Sequence, residues 1–401
     1  MNWADLTDFE SAPFEIIDGD RGKNYPKQNE FSDFGHCLFL SATNVTRIGF
    51  EFSTCQFITE QKDELLRKGK LQREDVVLTT RGTIGNVAHF NASVPYEHIR
   101  INSGMVILRC NGKKILPTYL YHFMRSPSFN GQVNSLRSGV AQPQLPIRDM
   151  KRIKLPLPPI TEQRRIASIL SAYDDLIENN RRRIQLLEQA ARLLYKEWFV
   201  HLRFPGYEHV DIIDGIPEGW ERKPLSELAI ITMGQSPKSI YYNEDGNGLP
   251  FHQGVTNFGI RFPSHKTYCT VQNRLAEPDD ILFSVRAPVG RINITHDKIV
   301  IGRGIAAIRS NRGQQNLLYY ALKSHFFKED MIGGGVIFAA ITKKDLYGVE
   351  LVQTSDQIAD MFVEHVRPID LQIENLQKTI DDLTQARDLL LPKLMNGEVA
   401  V

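Results

Sequence analysis

The feature that most constrains this chain is that it repeats itself. Asp75-Val-Val-Leu-Thr-Thr-Arg-Gly-Thr-Ile-Gly85 reads like Asp280-Ile-Leu-Phe-Ser-Val-Arg-Ala-Pro-Val-Gly290. Ile101 to Arg109, with Gly104, matches Ile301 to Arg309, with Gly304. Thr118 to Ser126 matches Asn316 to Ser324, Val140 through Leu155 matches Val336 through Leu351, and Asp174 to Asn180 matches Asp370 to Leu376. The five matches keep their order, and the spacing between copies shortens along the chain as small loop deletions would cause. A duplicated unit follows, and long-period repeats decide a fold before any local reading does.

Each copy has a mixed front and a helical back. The front holds short β-rich runs such as Val76–Thr80 and Ile281–Val285, bounded by Gly, Pro and Asn. The back is a heptad seam. Ile166, Leu170, Tyr173, Ile177, Asn180, Ile184, Leu187, Ala191, Leu194 and Trp198 alternate steps of four and three. The second copy gives Phe362, Val366, Ile369, Ile373, Leu376, Ile380, Leu383, Arg387, Leu390 and Leu394. Such a seam predicts coiled-coil packing. Each helix should run roughly 35–40 residues, or about 55–60 Å. Neither can bury so narrow a stripe alone, so the two should pack on each other.

The proline run Pro156-Leu-Pro-Pro159 blocks helix before Thr161, a candidate N-cap. Pro368 should kink the second helix, so 356–367 could form a separate short helix. Asn180 on the seam either fixes register or marks a wet stretch. Residues 355–401 carry nine acidic and four basic side chains, whereas the first helix carries the block Arg181-Arg-Arg183. Opposite charge would favour antiparallel pairing of unlike helices; a solvated basic face is the other reading.

The 401 residues are 42% hydrophobic and 24% charged, an ordinary globular balance. Lys+Arg is 48 against 47 for Asp+Glu, a net charge of +1, which excludes a uniformly basic nucleic-acid coat but not a local basic cleft. Cys37, Cys55, Cys110 and Cys269 form no Cys-x-x-Cys pair, so neither a zinc site nor a disulfide framework is expected. Scattered thiols, no signal-peptide pattern and no apolar run of membrane length predict a cytoplasmic protein without membrane attachment. The most apolar stretch, Ile299 to Ile308, is broken by Arg303.

Catalytic signatures are missing. There is no P-loop and no dinucleotide fingerprint, and Gly333-Gly-Gly335 lacks a βαβ context. Pro278-Asp-Asp280 has no following Glu-x-Lys of a nuclease, and Asp280 belongs to the repeat. His201, His252 and His265 have no partners at ligand spacing. A duplicated reader on helical struts suits a long ligand of two-fold character, such as paired half-sites on a duplex.

Three segments resemble the specificity (S) subunits of type I restriction–modification enzymes. They are Leu155-Pro-Leu-Pro-Pro-Ile-Thr-Glu-Gln-Arg-Arg-Ile166, Gly215-Ile-Pro-Glu-Gly-Trp-Glu221 and Leu391-Pro-Lys-Leu-Met-Asn-Gly-Glu398. The first unit departs from the pattern at its start, where only Asn2-Trp3 stands in place of Pro-Glu-Gly-Trp. The resemblance implies a mixed α+β fold: two globular α/β target recognition domains joined by two long antiparallel coiled-coil helices, with a pseudo-two-fold internal repeat. On that pattern, residues 1–156 form the first recognition domain, 157–203 the first long helix, 204–354 the second recognition domain and 355–401 the second long helix.

The resemblance also implies a non-catalytic subunit that reads a bipartite site in double-stranded DNA, one half per domain. Its helices would dock two modification (methyltransferase) subunits, with two restriction (translocase/nuclease) subunits in the complex. S-adenosylmethionine, ATP and Mg would sit on those partners, with no cofactor or metal on this chain. Two other readings stay open: a single-chain methyltransferase or nuclease with fused recognition domains, and a coiled-coil scaffold without a DNA role.

Candidate DNA contacts follow from side-chain chemistry, since Arg and Lys read guanine or phosphate and Asn and Gln read adenine. The loop from Thr79 to Asn86 offers Arg81 and Asn86, and its mate offers Arg286 and Arg291. The segment Ser135 to Gln144 offers Arg137, Gln142 and Gln144, and its mate offers Lys343 and Lys344. Arg81 and Arg286 recur although the copies should read different sequences, which favours a phosphate or structural role. Gln142 and Gln144 stand opposite Phe338 and Ala340, which suits sequence specificity and equally suits a drifting loop. The helix-pairing seam is assigned to Ile166, Leu170, Ile177, Asn180, Ile184, Leu187, Ile373, Leu376, Ile380, Leu383 and Leu390.

Overall fold

The computed structural model describes residues 6–139, 143–326 and 340–399. It divides into two compact units: Met1–Arg181 with Lys378–Val401, and Arg182–Gln377. Two long helices, Ile160–Tyr195 and Asp356–Met395, contribute to both.

The first unit is built on a four-stranded antiparallel sheet of β1 (Phe14–Asp18), β2 (Val76–Thr79), β3 (Val87–His89) and β4 (Met105–Cys110), in the order β1-β4-β2-β3. The two faces of β2 feed different cores, because successive side chains alternate across a strand. Val76 and Leu78 join Val106, Leu108, Phe123 and Phe129 in one core. Val77 joins Ala88, Met105 and Ile107 in the other, beneath the parallel pair Cys37–Leu40 and Ile99–Ile101. Burial on both faces explains why β2 is apolar without alternation.

The second unit repeats this plan. Its sheet holds β5 (Ala229–Met233), β6 (Ile281–Ser284), β7 (Ile292–Ile294) and β8 (Ile305–Ser310), in the order β5-β8-β6-β7. Ile281 and Phe283 enter one core with Ala306 and Ile308, while Leu282 enters another with Ile305 and Ala307. A parallel pair, Leu249–His252 with Ile299–Ile301, again stands beside the sheet. Matched ion pairs recur on the two sheets. Arg109 donates to Asp75 at 2.7 Å, and Arg309 donates to Asp280 at 2.7 Å.

Opposite ends of the long helices meet within each unit. In the first, Ile166, Ala167 and Leu170 share a core with Leu391, Leu394 and Met395. In the second, Ala191, Tyr195 and Trp198 share one with Ile358, Phe362 and Val366. The pairing is therefore antiparallel. Ile166, Leu170, Ile177, Asn180, Ile184, Ile373, Leu376 and Ile380 are buried, while Leu187, Leu383 and Leu390 are half-buried.

Two local expectations change. Residues 356–367 are not a separate helix: Asp356–Met395 runs unbroken through Pro368. The ring removes one N–H, but Val366 and Phe362 before it and Ile373 after it are fully buried, and that packing holds the helix axis across the gap. The first long helix starts at Ile160, one residue before the expected cap, with the Glu162 and Gln163 amides donating to the Pro159 carbonyl.

Buried charge fixes the second unit's front to its helices. Arg261, 2% exposed, donates to Glu188 at 2.9 Å and pairs with Asp370 at 2.6 Å. Lys323 also donates to Glu188, at 2.8 Å. Burial pushes the Glu188 carboxyl up, but Arg261 and Lys323 outweigh it and hold the group below its ordinary range.

Candidate nucleic-acid interface

The loop between β2 and β3 is shaped by a hydroxyl. The Thr79 hydroxyl donates to the Thr83 carbonyl and accepts from the Asn86 amide at 3.0 Å. Gly85, at φ 90°, donates to the Thr79 carbonyl at 3.0 Å. The loop between β6 and β7 repeats each contact. The Ser284 hydroxyl donates to Pro288 at 2.7 Å and accepts from the Arg291 amide at 2.8 Å. Gly290, at φ 86°, donates to the Ser284 carbonyl at 3.0 Å. The left-handed backbone at both positions is one that glycine reaches without a Cβ penalty.

Backbone bonds then draw neighbouring segments to each loop. In the first unit the Gly104 carbonyl accepts from Thr80 at 2.7 Å and Arg81 at 3.2 Å, and Leu145 donates to Thr80 at 2.9 Å. Arg81 forms a β-bridge with Gln144, and Gln144 forms another with Ser138, exchanging two 2.9 Å bonds with it. Arg137 directly precedes Ser138 at the end of helix Pro127–Leu136. The structure thus brings Arg81, Arg137 and Gln144 together, all exposed. A cleft of about 340 Å³ lies here, lined among others by Asp18, Arg21, Thr80, Arg81, Gln144 and Ile147. Gln142 lies outside the described residues.

Asn86 is placed differently. It is half-buried, and its side-chain amide donates to the Val45 carbonyl at 2.9 Å. Its position in the second unit is held by Arg291, which is exposed.

In the second unit Val285 donates to Gly304 at 2.9 Å, Ile341 donates to Val285 at 2.9 Å, and Arg286 bridges Ala340. Lys343 and Lys344 follow on the helix Lys343–Tyr347, whose start is closed by the reciprocal Thr342–Asp345 capping box. Both lysines are exposed, and the Lys343 ammonium lies 5.0 Å from the Tyr347 ring centre. Arg286, Arg291, Lys343 and Lys344 therefore belong to one loop cluster. Like charges gathered on one rim attract polyanions even in a chain of near-neutral sum.

Two exposed cations in these clusters were not singled out from the sequence. Arg148, with 88% of its side chain exposed, stands where the repeat puts Lys344. Arg303 stands between Gly302 and Gly304, beside the Arg286 loop. The repeat matches carried both signals, because each falls inside a matched segment. Among the described residues no three His, Cys, Asp or Glu side chains gather as a metal site, and no helix is long and apolar enough to cross a membrane.

Residues 14–189 match the type I restriction modification DNA specificity domain. The MjaX type I restriction enzyme specificity subunit of Methanocaldococcus jannaschii is 31% identical over 382 residues, covering 89% of each chain. The MjaIX specificity subunit of the same organism is 28% identical over 343 residues, covering 81% of this chain and 78% of the relative. The solved type I restriction–modification S subunit from M. genitalium aligns over 98% of this chain and 96% of its own, with a TM-score of 0.54. At 17% identity that likeness concerns the fold alone. With 31% identity sustained over 89% of its length, the chain belongs to the family of type I restriction enzyme specificity subunits.

Proposed function

We propose that this chain selects the DNA sequence for a type I restriction–modification complex, each unit reading one half of a bipartite site. The observation that carries this is the duplicated loop: one hydroxyl-and-glycine design, on one sheet topology, presents Arg81 in the first unit and Arg286 in the second. A residue common to both readers cannot tell their sequences apart, so Arg81 and Arg286 serve as phosphate contacts. Arg291, Lys343 and Lys344 serve the same purpose in the second unit. Gln144 and Arg137 differ between copies and are the base-reading candidates of the first, with Gln142 on the same segment. Asn86 shapes its loop from within.

The long helices serve as spacer and docking surface. Leu176, Leu186, Leu193, Leu371 and Leu389 on them are exposed, an apolar presentation that suits partner subunits. Two modification and two restriction subunits complete the assembly. Those partners carry S-adenosylmethionine, ATP and Mg, and the complex works in the cytoplasm.

The test is a methylome of cells expressing this chain with its modification subunit. A bipartite adenine motif that disappears when this chain is deleted is the expected result. Absence of any motif, with both proteins soluble and associated, overturns the reading. A finer version inserts one heptad into both helices, adding about 10 Å. The gap between half-sites should change while both half-site sequences stay.

A further inference from the structure

We propose that Arg303 reads a base in the half-site of the second unit, taking a guanine edge in the major groove. The assignment rests on the DNA-reading function above and deepens it.

Arg303 stands on the turn between Ile299–Ile301 and β8, and both flanks of that turn are closely held. Gly302 donates to the His252 carbonyl at 2.8 Å, and Gly304 donates to the Gln253 carbonyl at 3.2 Å. The Gly304 carbonyl in turn accepts from Val285, next to Arg286. The Arg303 amide donates to the Ser236 hydroxyl at 3.2 Å. Neither glycine has room for a Cβ: one on Gly302 would lie 2.8 Å from the Gln253 Cα, and one on Gly304 would lie 2.5 Å from the Gln253 carbonyl oxygen. The turn is a packed platform that presents a single side chain.

That side chain is uncommitted. Arg303 is exposed, and among the described residues its guanidinium makes no ion pair or hydrogen bond. Other arginines of this unit are spent on structure, such as Arg261 on Glu188 and Arg309 on Asp280. A planar fork of donors on a fixed backbone is what bidentate recognition of the guanine O6 and N7 requires. A flexible stem would serve a phosphate equally well and would not need the platform.

The comparison between units separates reader from anchor. The matched turn of the first unit is Asn102-Ser103-Gly104. There Ser103 takes the place of the arginine, and its carbonyl accepts from Arg21 at 3.2 Å, while Arg21 also pairs with Asp18 at 3.1 Å. Two domains that read different half-sites must differ in chemistry at an equivalent, well-supported position. Ser103 and Arg303 do; Arg81 and Arg286, on the adjoining loop, do not.

The experiment selects bound duplexes from a library randomised over both half-sites, using the full chain with its modification subunit, and sequences them. The variants are Arg303→Ala, Arg303→Lys and, as control, Arg286→Ala. The expected result is that Arg303→Ala relaxes one guanine–cytosine position of a single half-site by roughly 5- to 150-fold. The other half-site should stay intact. Arg303→Lys, which keeps the charge without the fork, should restore overall affinity more than base preference. Arg286→Ala should weaken all sequences alike. If Arg303→Ala lowers affinity uniformly and every base preference survives, the residue is a phosphate contact and the assignment fails alone. If the unmodified complex selects no bipartite motif, the functional reading fails and takes the assignment with it.

Discussion

The guanidinium of Arg387 donates to the carboxylate of Asp174 at 2.6 Å, and Arg125 donates to the other oxygen of that carboxylate at 2.5 Å. Burial pushes the Asp174 pKa up, but Arg125 leads the interactions that outweigh it and hold the group below its ordinary range. One carboxylate therefore serves two arginines, from the second long helix and from the recognition body of the first unit. Removing it leaves Arg125 without its carboxylate while Arg387 keeps Asp388 at 2.8 Å, whereas removing Arg387 leaves the Arg125 pair in place. The pair is partly buried, with the Asp174 side chain 25% exposed, so breaking it at its shared partner costs up to about 3–5 kcal/mol. Asp174→Ala should lose that much in denaturant unfolding, and Arg387→Met only about 1–2 kcal/mol, the scale of a lost charged hydrogen bond. Equal losses would show that the three residues do not act as this network.

Gly104 and Gly304 occupy matched turns but meet different surroundings. A Cβ on Gly304 would lie 2.5 Å from the backbone oxygen of Gln253, which cannot swing away. A Cβ on Gly104 would come no closer than 3.2 Å, and the atom it meets is the side-chain oxygen of Asn102. Gly304→Ala should therefore lower stability by about 1–3 kcal/mol, as overpacking does. Gly104→Ala should stay within about 0.5 kcal/mol of the parent, as well-tolerated changes do. Urea unfolding of the two variants decides this, and a Gly104→Ala variant that suffers as much would refute the contrast.

Arg81 and Arg286 lead to a measurement of salt dependence. If each neutralises one phosphate, replacing either by Ala should reduce the slope of log affinity against log salt by about 0.9. Affinity should fall for cognate and unrelated duplexes alike. A variant that keeps its slope and loses only cognate affinity would make that arginine a base reader instead.

The helical half of the fold was legible because its signal is local. Ile166, Leu170, Ile177, Ile373 and Ile380 announce a buried stripe by spacing alone, and all are buried. The charged residues among them were not legible, because their roles depend on distant chain. Nothing near Glu188 in sequence reveals that Arg261 and Lys323 will reach it, and Arg387 reads as a defect in an apolar seam until Asp174 stands opposite. Pro368 misled for a related reason: its local penalty is real, and packing on both sides of it overrides that penalty. The loop cluster was half legible. The repeat pointed to Arg81 and Arg286, but Arg303 looked like an interruption of an apolar run, and Asn86 looked available until Val45 took its amide. Exposure and the closeness of Gly302 and Gly304 to Gln253 are tertiary facts.

Acid should destabilise the second unit through His252. His252, 2% exposed, has its Nε2 2.8 Å from Nδ1 of His265, whose Nε2 lies 3.1 Å from the Asp297 carboxylate. The carboxylate can only accept, so His265 donates from Nε2 and offers a lone pair at Nδ1. His252 donates into that lone pair, which leaves its own Nδ1 buried and, among the described residues, without a partner. A proton on that nitrogen would have no acceptor. Burial, and then the neighbouring His265, push the His252 pKa down to about 4. An unfolded imidazole titrates near 6.5, so the unfolded chain takes up this proton first as pH falls. Stability is complete above about pH 6.5 and declines from there towards pH 4, by at most about 1.4 kcal/mol per pH unit. His252→Gln keeps a donor for His265 and removes the titration, so it should flatten this decline in urea unfolding. The His252 carbonyl accepts from Gly302, so the same acidification should loosen the Arg303 turn. Imidazole resonances of His252 that titrate at 6.5 in the folded chain would refute the account, because the ring would then carry its proton at no cost.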